Sequence, residues 1–283
     1  MNQKQIFHKI WYLVLIMFLV TGILPAQEEA QPADDDVPET QPSDLGSNWR
    51  TEDFQPYVKA IDDLKKLSEE YSENILTQSI DEYSTGMDIL RDMDATLSNM
   101  QKAFDNQNNL NERWYWQEID RSNQLKRRKA LLKYESKLKA ITYFTRSINH
   151  LDSIQNENVR KDDKFINFKI KLFRAYVSTQ YDVHNLKPCI PILERYVAIN
   201  SETKNDVQAY KYLASCYAYM ETSLDKYNSS ISEETRIQYK QKKNQALLTA
   251  AELEYGIDSV YYRKLQDIVD LDEKKSEKIN DFR

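Results

Sequence analysis

From Tyr57 onward, apolar side chains recur three and four residues apart, through Ile61 and Leu64, then Leu76, Ile80, Tyr83, Met87, Leu90, Met93, Leu97, Met100 and Phe104. That spacing lines one face of an α-helix and comes close to a heptad. It predicts a helix over about 54–104, with Glu73-Asn74 and Gly86 as the places where it could break. Asp105-Asn106-Gln107-Asn108-Asn109 then reads as a turn, because Asn and Asp tolerate turn geometry and cap a following helix. A second periodic stretch runs from about Leu110 to Ile154, with a later stripe of Leu131, Tyr134, Leu138, Ile141, Phe144, Ile148 and Leu151. Unbroken, either helix would reach roughly 65 to 75 Å. Two such helices packed antiparallel make a stalk. Each narrow stripe buries one face only and needs further helices, or another molecule, to cover the rest.

Toward the C-terminus the periodic segments shorten and aromatic density rises. Helices are expected near 162–181, 188–200, 204–222, 232–255 and 258–280. Two helix pairs resemble divergent tetratricopeptide repeats. Tyr210, Leu213, Ala214 and Tyr217 fit the large, Leu, small and Tyr places of a repeat's first helix. Leu172, Phe173 and Tyr176 fit less well, since Phe173 occupies the place of the small residue. The stretch from Cys189 to Asn200 has the look of a repeat's second helix, and the loop around Ser223–Glu234 reads as an insertion. Tyr176 and Tyr217 stand 41 residues apart, against about 34 for the usual repeat. The expected fold is therefore all-α and elongated: a long-helix stalk over 51–158, then a compact helical-hairpin part over 159–283. Composition agrees, because only 4 Gly and 7 Pro in 283 residues are too few for the turns of a sheet-rich fold.

The first 26 residues differ in kind. Lys4 and Lys9 precede an apolar run from Ile10 to Leu24, followed by Pro25-Ala26. A short basic region, about 15 apolar residues and a small terminal residue form the pattern of a secretory signal peptide. A membrane span needs about 20 apolar residues, and no later segment is long and apolar enough. Export, with no membrane span left after cleavage, is the expectation. Residues 27–50 read as an acidic, Pro-containing linker without stable structure. Seven acids and no bases lie between Glu28 and Asp44, among Pro32, Pro38 and Pro42, and such a segment has too little apolar surface to offset ordering.

The formal net charge is −6. Loss of Lys4 and Lys9 shifts it to −8, and setting aside the seven linker acids leaves the body at about −1. A near-neutral body is a poor nucleic-acid binder, since phosphate binding needs a basic surplus. It suits dense assembly, because neighbours repel little. Nine bases nevertheless gather between Arg121 and Arg146, densest at Lys126, Arg127, Arg128 and Lys129. They form either a solvated helix face or a docking strip for an acidic partner, such as another chain's acidic tail.

Catalytic and metal-binding patterns are missing. His150 and His184 have no His or Cys at ligand spacing, and there is no Gly-rich phosphate loop, Gly-x-Ser-x-Gly or His-Glu-x-x-His. No cofactor is implied, and a non-enzymatic role is expected. Cys189 and Cys216 fall on helices that could pack side by side. In an exported chain they could form a disulfide, closing a loop of about 28 residues that would contribute roughly 3 to 4 kcal/mol. They fit equally as two small buried side chains. Trp114-Tyr115-Trp116 is the most unusual local feature. Three consecutive aromatics span about 200° of a helix surface, so they cannot all enter one core stripe, and one of them is a candidate partner contact. For Tyr217, Tyr219, Tyr261 and Tyr262 the core reading is favoured.

Three passages carry a family resemblance: Asn111-Glu112-Arg113-Trp114-Tyr115-Trp116, the run from Leu186 to Tyr196, and the run from Tyr210 to Ala218. With the order of leader, acidic linker, long helices and compact helical part, the chain over about 50–283 resembles the spirochaete flagellar-coiling protein A family. The resemblance implies a bent, all-helical sheath component of flagella that lie in the periplasm. It would coat the filament, self-associate in a lattice, and contact the filament core and other sheath proteins. Trp114 and Trp116 would serve one contact patch and the Lys126–Lys129 run another. A periplasmic helical-repeat adaptor that recruits another envelope protein is the competing reading.

Overall fold

The computed structural model describes residues 54–71, 74–108, 115–223 and 233–280. Ten helices and no strand occur among them. They are α1 (Phe54–Glu70), α2 (Asn74–Asn108), α3 (Tyr115–Ser153), α4 (Glu157–Lys161), α5 (Asp163–Asp182), α6 (Cys189–Val197), α7 (Ser201–Lys204), α8 (Val207–Ser223), α9 (Glu233–Tyr255) and α10 (Val260–Asn280). The all-α expectation holds. The leader at 1–26 and the acidic linker at 27–50 lie outside the described residues.

The first long periodic stretch is two helices, separated at 71–73, while Gly86 sits inside α2 without interrupting it. Gly86 serves packing instead of bending. A Cβ there would lie 2.5 Å from Cε1 of Phe144 on α3, so only glycine admits that ring. α2 has 35 residues and α3 has 39, which makes them about 52 and 58 Å long at ~1.5 Å per residue. They pair antiparallel, with a close contact at two fully buried serines. Ser79 Oγ donates to the Ser147 carbonyl at 2.8 Å, and Ser147 Oγ returns the bond to the Ser79 carbonyl at 2.7 Å. Small side chains let the two backbones approach, and the reciprocal bonds satisfy both buried hydroxyls.

One core runs from Leu64 on α1 to Ala246 on α9. Its centre is aromatic. The Tyr83 ring lies 5.4 Å from Phe168 in edge-on contact and 5.8 Å from Phe144, so α2, α3 and α5 meet at one point. Geometries of this kind add about 0.5–1.5 kcal/mol beyond area burial.

The short connections are set by caps. Asn156 accepts from the Asn158 N–H at the start of α4, and Asp162 closes α4 while accepting from the Lys164 N–H to open α5. Asn200 and Thr203 form a reciprocal capping box on α7. Two residues beyond α5, His184 has φ +57°, and the Asn185 N–H then reaches back to the Gln180 carbonyl at 3.0 Å. α9 ends at Gly256, with φ +82°, whose N–H bonds the Glu252 carbonyl at 2.8 Å. Left-handed residues at helix C-termini satisfy the orphan carbonyls there. Beyond α4 the chain packs in sequence: α5 on α6, α6 on α8, α8 on α9 and α9 on α10.

Candidate assembly surfaces and their anchoring clusters

The basic run on α3 divides. Lys126, Arg127 and Arg128 are exposed, and among the described residues they make no ion pair. Lys129 is half-buried and donates to Gln101 on α2, so it helps hold the hairpin. Lys133 and Lys139 extend the exposed group, while Lys137 is drawn into a 2.9 Å pair with Asp182 of α5.

The stripe from Leu131 to Leu151 splits as well. Ile141, Phe144, Ile148 and Leu151 are buried, as expected. Leu131, Tyr134 and Leu138 are exposed, Leu131 at 58%. The reason is geometric. In this half of α3, Leu125, Lys129, Leu132 and Ser136 are among the half-buried positions and form a line that follows Lys129 to its α2 partner. The alternation that looks continuous in sequence therefore belongs to two different faces. The outer face carries Leu131, Tyr134 and Leu138 between exposed bases.

A second apolar face lies on α10. Val260 (66% exposed), Tyr261, Ile268 and Leu271 point to solvent, whereas Val269 is buried. Tyr255 at the end of α9 and Ile257 in the turn before α10 are exposed too, and the Tyr255 and Tyr261 rings are 4.6 Å apart. The core reading holds for Tyr217. It fails for Tyr219 and Tyr261, which are exposed, and Tyr262 is half-buried. Tyr261 lies on the outer side of a helix whose main contact among the described residues is α9, and the core does not reach it.

Two polar clusters brace the helices behind these surfaces. In the first, Tyr196 Oη on α6 donates to Asp206 Oδ2 at 2.7 Å and accepts from Arg174 Nε of α5 at 2.7 Å. Arg174 Nη2 also reaches Asp206 at 3.2 Å. Burial and the hydrogen bond to Asp206 push the Tyr196 phenol well above its usual range. In the second, Glu194 of α6 accepts from Tyr217 of α8 at 2.7 Å and from Lys242 of α9 at 2.9 Å. Partial burial works against the Glu194 carboxylate, but the bonds from Lys242 and Tyr217 outweigh it and hold its pKa below the ordinary value. In both clusters the acid ties together neighbouring helices: Asp206, just before α8, holds α5 and α6, and Glu194 of α6 holds α8 and α9.

The FcpA family profile matches residues 18–278, nearly the whole chain. This chain belongs to the FcpA family. No curated protein matches it. Membership implies a role related to flagellar coiling or sheathing, interactions with flagellum-associated proteins, and association with periplasmic flagella. Among the described residues no helix is long and apolar enough to cross a membrane.

Of the candidate residues in this FcpA-family chain, Trp114 and the side chains of Tyr115 and Trp116 lie outside the described residues. Cys189 and Cys216 are both buried, as free thiols. They are brought together: a hydrogen bond with Cys216, aided by burial, raises the Cys189 thiol pKa. Sequence reasoning missed the outward faces of α3 and α10. A signal existed for α3, since bases flank Leu131, Tyr134 and Leu138 on both sides. For α10 the apolar residues Tyr261, Leu265, Ile268, Val269 and Leu271 cover more than one face of a helix, and nothing in the spacing says which face is covered.

Proposed function

We propose that the protein is a structural subunit of the sheath of periplasmic flagellar filaments, exported by the segment at 1–26, with no catalytic role. It coats the filament and promotes its curvature through lateral contacts with the filament core, other sheath proteins and further copies of itself. The observation that carries this reading is the family match over residues 18–278. The physical logic supports it. A hairpin of two helices about 50–60 Å long, clamped at Ser79–Ser147 and closed without a gap at Gly86–Phe144, is stiff. Stiff subunits repeated along one side of a filament with a fixed offset impose a preferred curvature.

The adaptor reading is favoured by a different observation, the sequential packing of α5, α6, α8 and α9, which resembles a repeat array. Repeats of that kind bind proteins, though fold analogy alone decides little. One experiment separates the two. Filaments isolated from the periplasm should carry the protein in amounts comparable to the filament subunit, and filaments from a deletion strain should be straightened. Normally coiled filaments without the protein would leave the adaptor reading in front.

A further inference from the structure

Two unpartnered faces of this chain match each other in chemistry. On α3, Leu131, Tyr134 and Leu138 form an exposed apolar line, flanked by the exposed bases Lys126, Arg127, Arg128, Lys133 and Lys139. On α10 and the turn before it, Tyr255, Ile257, Val260, Tyr261, Ile268 and Leu271 form an exposed apolar face. That face lies in a segment, Glu252–Glu273, with seven acids and two bases. Each segment supplies what the other lacks, an apolar line of one helix framed by charge of the opposite sign. Both faces stand open among the described residues, with Leu131 58% and Leu271 59% exposed.

We propose that the α3 face of one copy binds the α10 face of the next copy, head to tail. The two patches differ, so the contact is heterologous, and repetition produces an open-ended row instead of a closed dimer. Apolar burial supplies the attraction, and the framing charges set register and exclude like-with-like pairing, because α3 on α3 would bring bases together and α10 on α10 acids. The acidic segment Glu28–Asp44 is the rival occupant of the α3 face. It matches the charge, but Val37 is its one large apolar side chain, so it would leave Leu131, Tyr134 and Leu138 uncovered. The inference deepens the sheath reading by naming a contact between subunits. It concerns purified protein alone, so its test is independent of filament binding.

The test is association of the purified protein, followed by analytical ultracentrifugation at low and high salt. The wild-type chain should form concentration-dependent oligomers without a fixed endpoint, weakened by salt. Lys126→Glu/Arg127→Glu/Lys133→Glu on α3, and separately Asp267→Lys/Asp270→Lys on α10, should each raise the dissociation constant at least tenfold. All five positions are exposed, so melting temperatures should stay near wild type. Mixing the two variants should restore association, a recovery that misfolded protein would not show. Leu271→Ser, which keeps the charges, should weaken association as well. A wild-type chain that stays monomeric at all concentrations overturns the inference, as does a mixture that fails to recover. Loss of association on deleting 28–44 while the α10 variant associates normally also overturns it, in favour of the acidic segment. Co-sedimentation with isolated filaments, run in parallel, reports on the sheath reading separately.

Discussion

His184, two residues beyond α5, holds a left-handed backbone, φ +57°, a conformation that costs a non-glycine residue about 1–2 kcal/mol. His184→Gly should remove that cost while adding freedom to the unfolded chain. The expected net effect is a stability gain of up to about 1 kcal/mol, read as a raised denaturation midpoint. A loss would mean the imidazole makes a contact worth more than the strain. Glu194 gives a prediction with a sign. Its folded pKa is depressed by Lys242 and Tyr217, so its contribution is present above the unfolded carboxylate pKa, about 4.3, and is lost as pH falls through the lower folded value. Melting temperatures at pH 6 and pH 3 should therefore differ more for wild type than for Glu194→Gln, and equal differences would show that the cluster does not respond to protonation. Cys189 and Cys216 are the third case. Both are buried and adjacent, and a periplasmic thiol–disulfide oxidant would take two electrons and two protons from the pair to form one bond. Protein recovered from that compartment should resist alkylation in denaturant until reduced, and two thiols that alkylate at once would show that packing alone placed them there.

At the scale of the element, the pair of Gly86 and Phe144 shows how α2 and α3 fit. Gly86→Ala would gain about 1 kcal/mol of helix propensity but drive a methyl to 2.5 Å from a fully buried ring. Phe144 is hemmed by Tyr83 at 5.8 Å and has little room to give. Overpacking of this kind costs typically 1–3 kcal/mol, so a net loss of up to about 2 kcal/mol is expected, measured by chemical denaturation. Much of this level was legible in the sequence. The helix expected over 162–181 is Asp163–Asp182, and that over 258–280 is Val260–Asn280, because apolar periodicity and the capping residues are local signals. Coverage is not local. The three- and four-residue spacing that runs from Leu131 to Leu151 is uniform, yet its first three members are exposed and its last four buried. What covers a face depends on a partner helix dozens of residues away, or on another molecule, and the spacing carries no record of either. The same limit made Tyr217 and Tyr261 look alike, though one lies under α9 beside Glu194 and the other faces solvent.

Across the whole body, the arrangement of the core sets how the protein should unfold. Tyr83 of α2 sits against both Phe144 of α3 and Phe168 of α5, and Lys137 of α3 pairs with Asp182 of α5. The long hairpin and the following helices thus share their central contacts. Unfolding the hairpin would strip one side from Phe168 and break the Lys137–Asp182 pair, so neither part keeps a complete core alone. α10 stands apart from this. Over 260–271, where its side chains are described, Val269 is its one buried side chain, and it lies outside the main cluster. Calorimetry should accordingly show one cooperative transition for α1 to α9, with near-ultraviolet and far-ultraviolet signals coinciding. Removal of residues 259–283 should lower its midpoint by roughly 3–12 °C and leave the transition cooperative, because burial of a valine is worth about 1.5–3 kcal/mol and each kcal/mol about 2–4 °C. Two separated transitions would divide the body into independent folding units, and a collapse of the midpoint on truncation would place α10 inside the core. With the expected result, α10 adds little to the stability of its own chain while exposing a broad apolar face. Under the head-to-tail contact proposed above, that face is covered by a second copy, and a truncated chain that stays folded but no longer forms rows would support it, whereas one that still forms rows would count against it.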